Sequence, residues 1–253
     1  MIEISLVLFL FVLIGLASWF KRNKLRKKRR EKTLRGIEQL SALLNLIQSL
    51  QRHRGICANL DSTNQAQQRQ LSNEINSLWR PLLDKDYGGN VKRVNLQFTK
   101  WKQIEAEPTG SFMEHCELIE KLLHELTVIA DICSLTASNN DHNGEELWQN
   151  LLLRPHFAES LARLRGLGNK AANLGHCPAA VRVQLQYLLV NMRENELCDP
   201  AVRDIDRMVT QEILEPEVIK IEPRVYFSRL TQAIDQQIQL TRDHLQQLSK
   251  CTA

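Results

Sequence analysis

Apolar residues recur every three or four positions along most of this chain, which is the spacing of an amphipathic α-helix. After residue 33 they occupy positions 37, 40, 44 and 47, and similar stripes run through Phe112–Ile132 and Phe227–Leu248. A second signal is Asp199-Pro200, an N-cap followed by proline at the first helical position. The pattern predicts helices over about 33–60, 65–84, 91–106, 111–137, 145–153, 156–175, 178–196, from 199 to about 215, and 223–250.

The most polar and turn-rich segment is "SNNDHNG" (138–144), and it divides these helices into two groups of about four. Only ten glycines and seven prolines occur in 253 residues, which favours an all-α fold. We therefore predict two antiparallel four-helix bundles, over 36–137 and 145–250. A helical solenoid is the weaker interpretation, because no repeat of 20–50 residues is evident.

The N-terminal segment has a different pattern. Residues 4–20 carry no charge and end in Trp19 and Phe20, and a strongly basic strip follows at once. Seventeen residues lie at the short end of the range that spans a bilayer. A signal peptide would place its basic region before the apolar one. We predict a transmembrane anchor at 1–20 with its N-terminus outside and the remaining domain in the cytoplasm. A cleaved or peripheral segment is the minority alternative.

The positive net charge of the chain is confined to the predicted juxtamembrane segment, residues 21–35. This strip holds ten of the 33 basic residues and one acid, whereas residues 36–253 carry 23 basic and 27 acidic residues. A basic strip beside a membrane span attracts anionic lipid headgroups. The rest of the chain has no basic stripe for a phosphate backbone, so we predict a membrane partner and no nucleic acid.

No motif predicts catalysis. The six cysteines have no paired spacing and are expected to be reduced thiols, and the seven histidines form no metal-binding pattern. "GLGNKA" (166–171) formally resembles a dinucleotide-binding loop, but it follows a helix where that site needs a strand. We therefore predict a protein that is not an enzyme and that has no cofactor and no metal.

Two arginines fall on faces that the pattern predicts to be buried. Continuing the first seam from 47 to 51 and 54 sends Arg54 inward beside Gly55 and leaves Arg52 at the rim; Arg165 lies on the inward face of its helix. A buried guanidinium needs an anion. That anion is either a small planar oxyanion bound between the bundles, which we expect, or an acid of the protein, such as Glu74, Glu120 or Asp235.

Three segments resemble the nitrate- and nitrite-sensing (NIT) domain family. "LIQSLQRHRGICANL" is similar to its opening helix, although His53 takes the place of an acid; "FAESLARLRGLGNKAANLG" and "PRVYFSRLTQAIDQQIQL" resemble its second-bundle helix and closing segment. The resemblance covers about residues 40–245. It implies an all-helical sensor in which Arg52, Arg54 and Arg165 bind nitrate or nitrite. For a further family arginine from a late helix, the candidates are Arg182, Arg193 and Arg224.

The function expected from these features is a sensor anchored in the bacterial inner membrane, which binds a small oxyanion and signals through a protein partner. The family's domain is usually fused to an output module, so the partner is expected to supply the output; homodimerisation is left open. The alternative is a non-enzymatic helical scaffold or adaptor that tethers a cytosolic partner to the membrane, with structural arginines.

Overall fold

A computed structural model of the protein describes residues 2–58, 64–84, 91–133, 135, 146 and 148–252, without the side chains of residues 2–14, 17, 84, 91, 251 and 252. Within these ranges every regular element is helical and there is no strand, which confirms the predicted all-α class. The elements are α1 (Ile2–Cys57), α2 (Gln65–Asp84), α3 (Val91–Ala106), α4 (Phe112–Ile132), a π-helical turn at Gln149–Leu153, α5 (Arg154–Leu174), α6 (Ala179–Arg193), α7 (Pro200–Val209), a second π-helical turn at Thr210–Leu214, and α8 (Pro223–Thr252).

The helix starts follow from local chemistry. The carboxylate of Asp199 accepts a hydrogen bond from the backbone N–H of Val202 at 2.9 Å, so the predicted N-cap of α7 is confirmed. The predicted break at Arg154-Pro155 is wrong. The π-helical turn, in which the N–H of Arg154 bonds to the carbonyl of Gln149, runs directly into α5, so the chain passes Pro155 without ending the helix.

In the first half of the chain, α1 packs antiparallel to both α2 and α4. Ser49 bonds to Glu74 of α2, whereas His53, four residues further on, bonds to Ser72. The apolar seam of α1 is buried as predicted, and it meets two fully buried tryptophans, Trp79 and Trp101. These contacts place the C-terminal end of α1 beside the N-terminal ends of α2 and α4.

In the second half, α5 packs most extensively against α8, also antiparallel: Arg154 bonds to Gln237, and Leu164, ten residues further on, bonds to Tyr226. The first helix also contacts both α5 and α8, so α1, α4, α5 and α8 surround a shared region. The buried apolar side chains form one continuous cluster. The predicted boundary at 138–144 lies outside the described residues, and the division into two bundles stays a prediction.

The first helix extends without a break from Ile2 to Cys57, a length of 56 residues. It joins the predicted anchor, the basic strip and the first arginine motif in one element. Across the part of the chain that the structure describes, no helix combines the length and the apolar character that a membrane span requires. The side chains of most of the predicted anchor, 2–14 and 17, lie outside that part.

Candidate functional site

Arg54 is fully buried, as its position on the seam of α1 predicts. Its guanidinium faces Glu159 of α5, whose side chain is only 3% exposed. Nη1 donates to Oε1 at 2.5 Å and Nη2 donates to Oε2 at 3.0 Å, so the pair is bidentate. Glu159 is therefore the counter-ion of Arg54.

This ion pair overturns the expectation that the counter-ion of Arg54 arrives from solution. The acids suggested by the sequence have other partners: Glu74 accepts from Ser49, Glu120 from Arg163, and Asp235 from Gln48 and Arg52. Helical periodicity did not predict that Glu159 is buried, because 14 of the 21 residues of α5 are buried and the helix has no clear solvent-exposed face. Its position between apolar residues of "HFAESLA" was the available signal.

Further side chains complete the environment of this ion pair. Arg163 donates its Nε to Glu159 at 2.8 Å, and Gln51 donates its amide at 3.1 Å. Nη1 of Arg54 also donates to the Cys116 sulfur at 3.1 Å. Burial alone would lower the pKa of Arg54, but Glu159 and then Cys116 more than offset it and raise that pKa above its ordinary value.

Arg165 is buried as predicted, with 1% of its surface exposed, but its surroundings differ from those of Arg54. No carboxylate of the described residues lies within ion-pair distance. Nη1 donates to the Thr231 hydroxyl at 2.9 Å, Nη2 donates to the backbone carbonyl of Gln51 at 2.8 Å, and Nε has no partner there. The guanidinium carbon lies 4.6 Å from the ring centroid of Phe227.

The electrostatic state of Arg165 follows from these contacts. Burial first, and then repulsion from Arg54, lower the pKa of Arg165 to about 9, and Asp235 only partly opposes this. The side chain is therefore cationic at neutral pH. It is a buried charge that is hydrogen-bonded and stacked on an aromatic ring, yet it is not neutralised.

Arg165 borders a cleft of about 910 Å³ between α1, α2, α5 and α8. Arg52 and Arg224 line the same cleft, so three guanidinium groups face it. Glu74 is the one acid among the described lining residues, and it already accepts a hydrogen bond from Ser49 at 2.8 Å. The cleft is therefore cationic. Its other polar walls are amides and a hydroxyl: Asn64, Gln67, Gln70, Asn169, Asn173 and Thr231.

The remaining predicted arginines are distributed as follows. Arg52 is exposed at the rim, as expected, with its Nη2 3.4 Å from Asp235. Among the late-helix candidates, Arg224 lines the cleft, whereas Arg182 donates to the carbonyl of Leu214 and Arg193 pairs with Asp206 at 2.8 Å. The structure thus brings Arg52, Arg165 and Arg224 to one cleft and does not include Arg54 in its lining.

The glycines near these arginines serve close packing. A Cβ atom on Gly55 would lie 3.0 Å from the ring of Phe227 and 3.7 Å from Nε of Arg165, so an aromatic side chain closely approaches α1 at Gly55. Gly168 lies against Tyr226, whose hydroxyl donates to the carbonyl of Leu164 at 2.8 Å. The "GLGNKA" segment is helical and packs against aromatic rings, in keeping with our rejection of a dinucleotide loop.

Comparison of the chain with protein-family models, with curated proteins and with solved structures finds no match.

Proposed function

We propose that this chain senses a small oxyanion, with nitrate and nitrite as the first candidates, in the cleft lined by Arg52, Arg165 and Arg224. One observation carries the proposal: Arg165 is a buried cation with no carboxylate partner among the described residues, and it borders a cleft rich in other cations. Such a charge is costly until an anion reaches it. A planar oxyanion suits the flat, forked donor set of arginine.

The proposal gives the two buried arginines different roles. Arg54 is neutralised by Glu159, so it holds α1 against α5 and does not contact the ligand. Arg165 supplies the buried charge, and Arg52 of α1 and Arg224 of α8 supply further charge from the lining of the cleft. This assignment departs from the resemblance, which implies that Arg54 itself binds the anion. As the resemblance implies, arginines from both halves of the chain would still contact the ligand.

Binding is proposed to draw the two sides of the cleft together. A cleft of about 910 Å³ is far larger than nitrate, so three guanidinium groups can surround one such ion only if its walls approach. Arg52 lies on α1, whereas Arg165 and Arg224 lie on α5 and α8. Movement of the first helical bundle against the second is the conformational signal that this proposal requires.

The proposal also retains the N-terminal membrane anchor and the cytoplasmic orientation. The 17 uncharged residues at 4–20 and the basic strip at 21–35 support both. Since α1 continues from this segment to Arg54, movement at the cleft can reach the membrane-proximal end through one helix. A protein partner, or a second copy of the chain, would convert that movement into an output.

The test is thermal unfolding of the full chain in lipid nanodiscs, with sodium nitrate, nitrite, sulfate and chloride compared at equal ionic strength. Nitrate or nitrite at 100 times the dissociation constant should stabilise the wild type by about 2.7 kcal/mol. Arg165→Met should abolish this anion-specific rise in Tm. Arg193→Met is the matched control, because Arg193 is paired with Asp206 outside the cleft, and it should respond as the wild type does.

Two results would contradict the proposal. One is a wild-type Tm that responds equally to all four salts, which would report ionic strength alone. The other is an anion-specific rise that survives in Arg165→Met, which would place the site elsewhere.

The adaptor alternative is favoured by one feature, an exposed apolar stripe on α6. Val183, Tyr187 and Val190 follow one another at steps of four and three residues, and each is at least 47% exposed. Surfaces of this type are frequent at contacts between proteins. If the chain is only an adaptor, no oxyanion should raise its Tm, and changing these three residues to serine should abolish partner binding without changing the fold.

A further inference from the structure

Two histidines and one cysteine that are dispersed in the sequence meet in the protein core. His53 and Cys57 lie one turn apart on α1, and His115 comes from the start of α4. The two histidines are fully buried and Cys57 is 5% exposed. Nδ1 of His53 lies 2.8 Å from Nε2 of His115 and 3.5 Å from the Cys57 sulfur, and all three ligand atoms fall within 4.8 Å of one another.

The outer nitrogens of both rings are already held by hydrogen bonds. Nδ1 of His115 lies 2.6 Å from the backbone carbonyl of Ser111, so it carries the proton and leaves the lone pair of Nε2 facing His53. Nε2 of His53 lies 3.0 Å from both the Ser72 hydroxyl and the side-chain amide nitrogen of Gln68. Since the amide nitrogen can only donate, Nε2 accepts and the proton of His53 is on Nδ1. Such outer partners are typical of histidines that bind metals.

We propose that His53, Cys57 and His115 form a zinc site that ties the C-terminal end of α1 to the start of α4. Two imidazoles and a thiolate are the ligands that Zn²⁺ prefers. Tetrahedral zinc, with bonds of about 2.0–2.1 Å to nitrogen and 2.3 Å to sulfur, requires roughly 3.3 Å between two nitrogens and 3.6 Å between nitrogen and sulfur. The distance from Nδ1 of His53 to the sulfur therefore already fits. The two rings need to separate slightly, and Nε2 of His115 lies within 4.8 Å of the sulfur.

The proton balance of binding is simple. When Nδ1 of His53 binds zinc, its proton moves to Nε2, and the side-chain amide of Gln68 turns over so that its oxygen accepts a hydrogen bond from Nε2–H. Cys57 releases its thiol proton to solvent and binds as thiolate. Zinc with one thiolate and two neutral imidazoles keeps a single positive charge, and water completes the fourth position. The neighbouring Arg54 does not oppose this charge strongly, since Glu159 neutralises it.

A route for the metal is present beside Cys57. This residue borders a cavity of about 290 Å³ between α1, α4, α5 and α6, which Gly110 and Lys170 also line. The site is therefore close to a solvent-connected space although its ligands are buried. The cluster was not predicted, because His53 and Cys57, although one turn apart on α1, supply only two ligands, and His115 lies 58 residues further along the chain. Only the antiparallel packing of α1 and α4 brings them together.

The experiment uses the full chain, purified without chelator, in lipid nanodiscs. Elemental analysis should find about one zinc ion per chain. Exchange with Co²⁺ should give a thiolate-to-cobalt charge-transfer band together with the strong visible bands of a four-coordinate ion. Cys57→Ala and His115→Gln should lose both the zinc and these bands. Cys133→Ala is the matched control, since Cys133 is also a buried cysteine at an end of α4 but lies outside the cluster.

Stability provides a second measurement, and its wild-type arm does not depend on any variant folding well. A strong chelator should lower the Tm of the wild type and leave the Tm of Cys57→Ala unchanged. The proposal is overturned if the folded wild type contains no zinc and gives no charge-transfer band with Co²⁺. It is equally overturned if Cys57→Ala retains the metal, or if the purified wild type contains copper in place of zinc.

Discussion

The two buried arginines differ in one respect, which is whether the protein supplies the anion. Arg54 has a bidentate carboxylate, whereas Arg165 has a hydroxyl, a backbone carbonyl and an aromatic ring. An ion pair buried at this depth adds little net stability, but removing one partner leaves an uncompensated charge. Replacing each arginine separately should therefore have opposite consequences for folding.

For Arg54→Met we expect the free energy of unfolding to fall by about 3–5 kcal/mol, because Glu159 is left buried with one arginine fewer. Arg54→Met combined with Glu159→Met should recover most of that loss. Urea unfolding followed by circular dichroism measures both. The control is Arg193→Met, whose half-exposed ion pair with Asp206 should contribute less than about 1 kcal/mol. Equal losses at Arg54 and Arg193 would refute the structural role of Arg54.

For Arg165→Met at pH 7 without added oxyanion, we expect the free energy of unfolding to equal that of the wild type or to exceed it by as much as about 4 kcal/mol. The substitution removes a buried charge that has no internal counter-ion and keeps much of the side-chain volume. Urea unfolding again measures the difference. A loss as large as that of Arg54→Met would mean that an acid does neutralise Arg165 in solution.

The effect of Arg165→Met on the free energy of unfolding should also depend on pH. The pKa of Arg165 is lowered to about 9 in the folded protein, well below the ordinary value that it has in the unfolded chain. Protonated Arg165 therefore opposes folding, fully below about pH 9 and progressively less as the pH rises above it. The stability advantage of Arg165→Met over the wild type should accordingly shrink above pH 9. An advantage that grows with pH would contradict this assignment.

At the scale of the elements, the contact between α5 and α8 depends on small residues. Tyr226 is fully buried and occupies the space that a Cβ atom on Gly168 would need. The corresponding contact at Gly55 is looser, because the neighbouring atom belongs to the edge of the half-buried Phe227. Alanine substitutions at the two glycines therefore test how much space each neighbouring aromatic ring leaves for a Cβ atom.

We expect Gly168→Ala to lower the free energy of unfolding by about 1–3 kcal/mol, since a rigid buried ring cannot move aside. The free energy of unfolding of Gly55→Ala should lie within about 1 kcal/mol of the wild-type value, because the gain in helix propensity offsets the cost of a small shift of Phe227. Chemical denaturation of both variants tests this order. A Gly55→Ala variant less stable than Gly168→Ala would show that Phe227 is the more rigid neighbour.

The sequence predicts individual helices well and contacts between helices poorly. Spacing along one chain determines which face of α1 is buried, so the inward Arg54 and the outward Arg52 could be predicted. The partner of Arg54 depends on the register between α1 and α5, 105 residues apart, and no local pattern encodes it. The same reason explains the missed approach of His53 and His115. The continuous helix across Pro155 was missed because the residue before a proline is usually driven out of the helical conformation.

At the scale of the whole molecule, the proposed anchor predicts how the chain partitions. The full chain should remain in the membrane pellet after washing with alkaline carbonate, whereas deletion of residues 1–20 should release it in high salt. The basic strip alone should give binding that weakens as salt screens its charge. The two preparations can be compared by immunoblotting. Release of the full chain by carbonate would contradict the proposed membrane span.

The unbroken course of α1 has a mechanical consequence. A helix of 56 residues is about 84 Å long, and each residue advances its surface by about 100°. Rotation at Arg52 and Arg54 must then appear as the same rotation of the basic strip, so the two ends keep a fixed angular phase. Inserting seven residues between 28 and 36 would nearly restore that phase, whereas inserting two would turn the arginines to the opposite side. A sensor coupled through α1 would tolerate the first insertion and fail with the second.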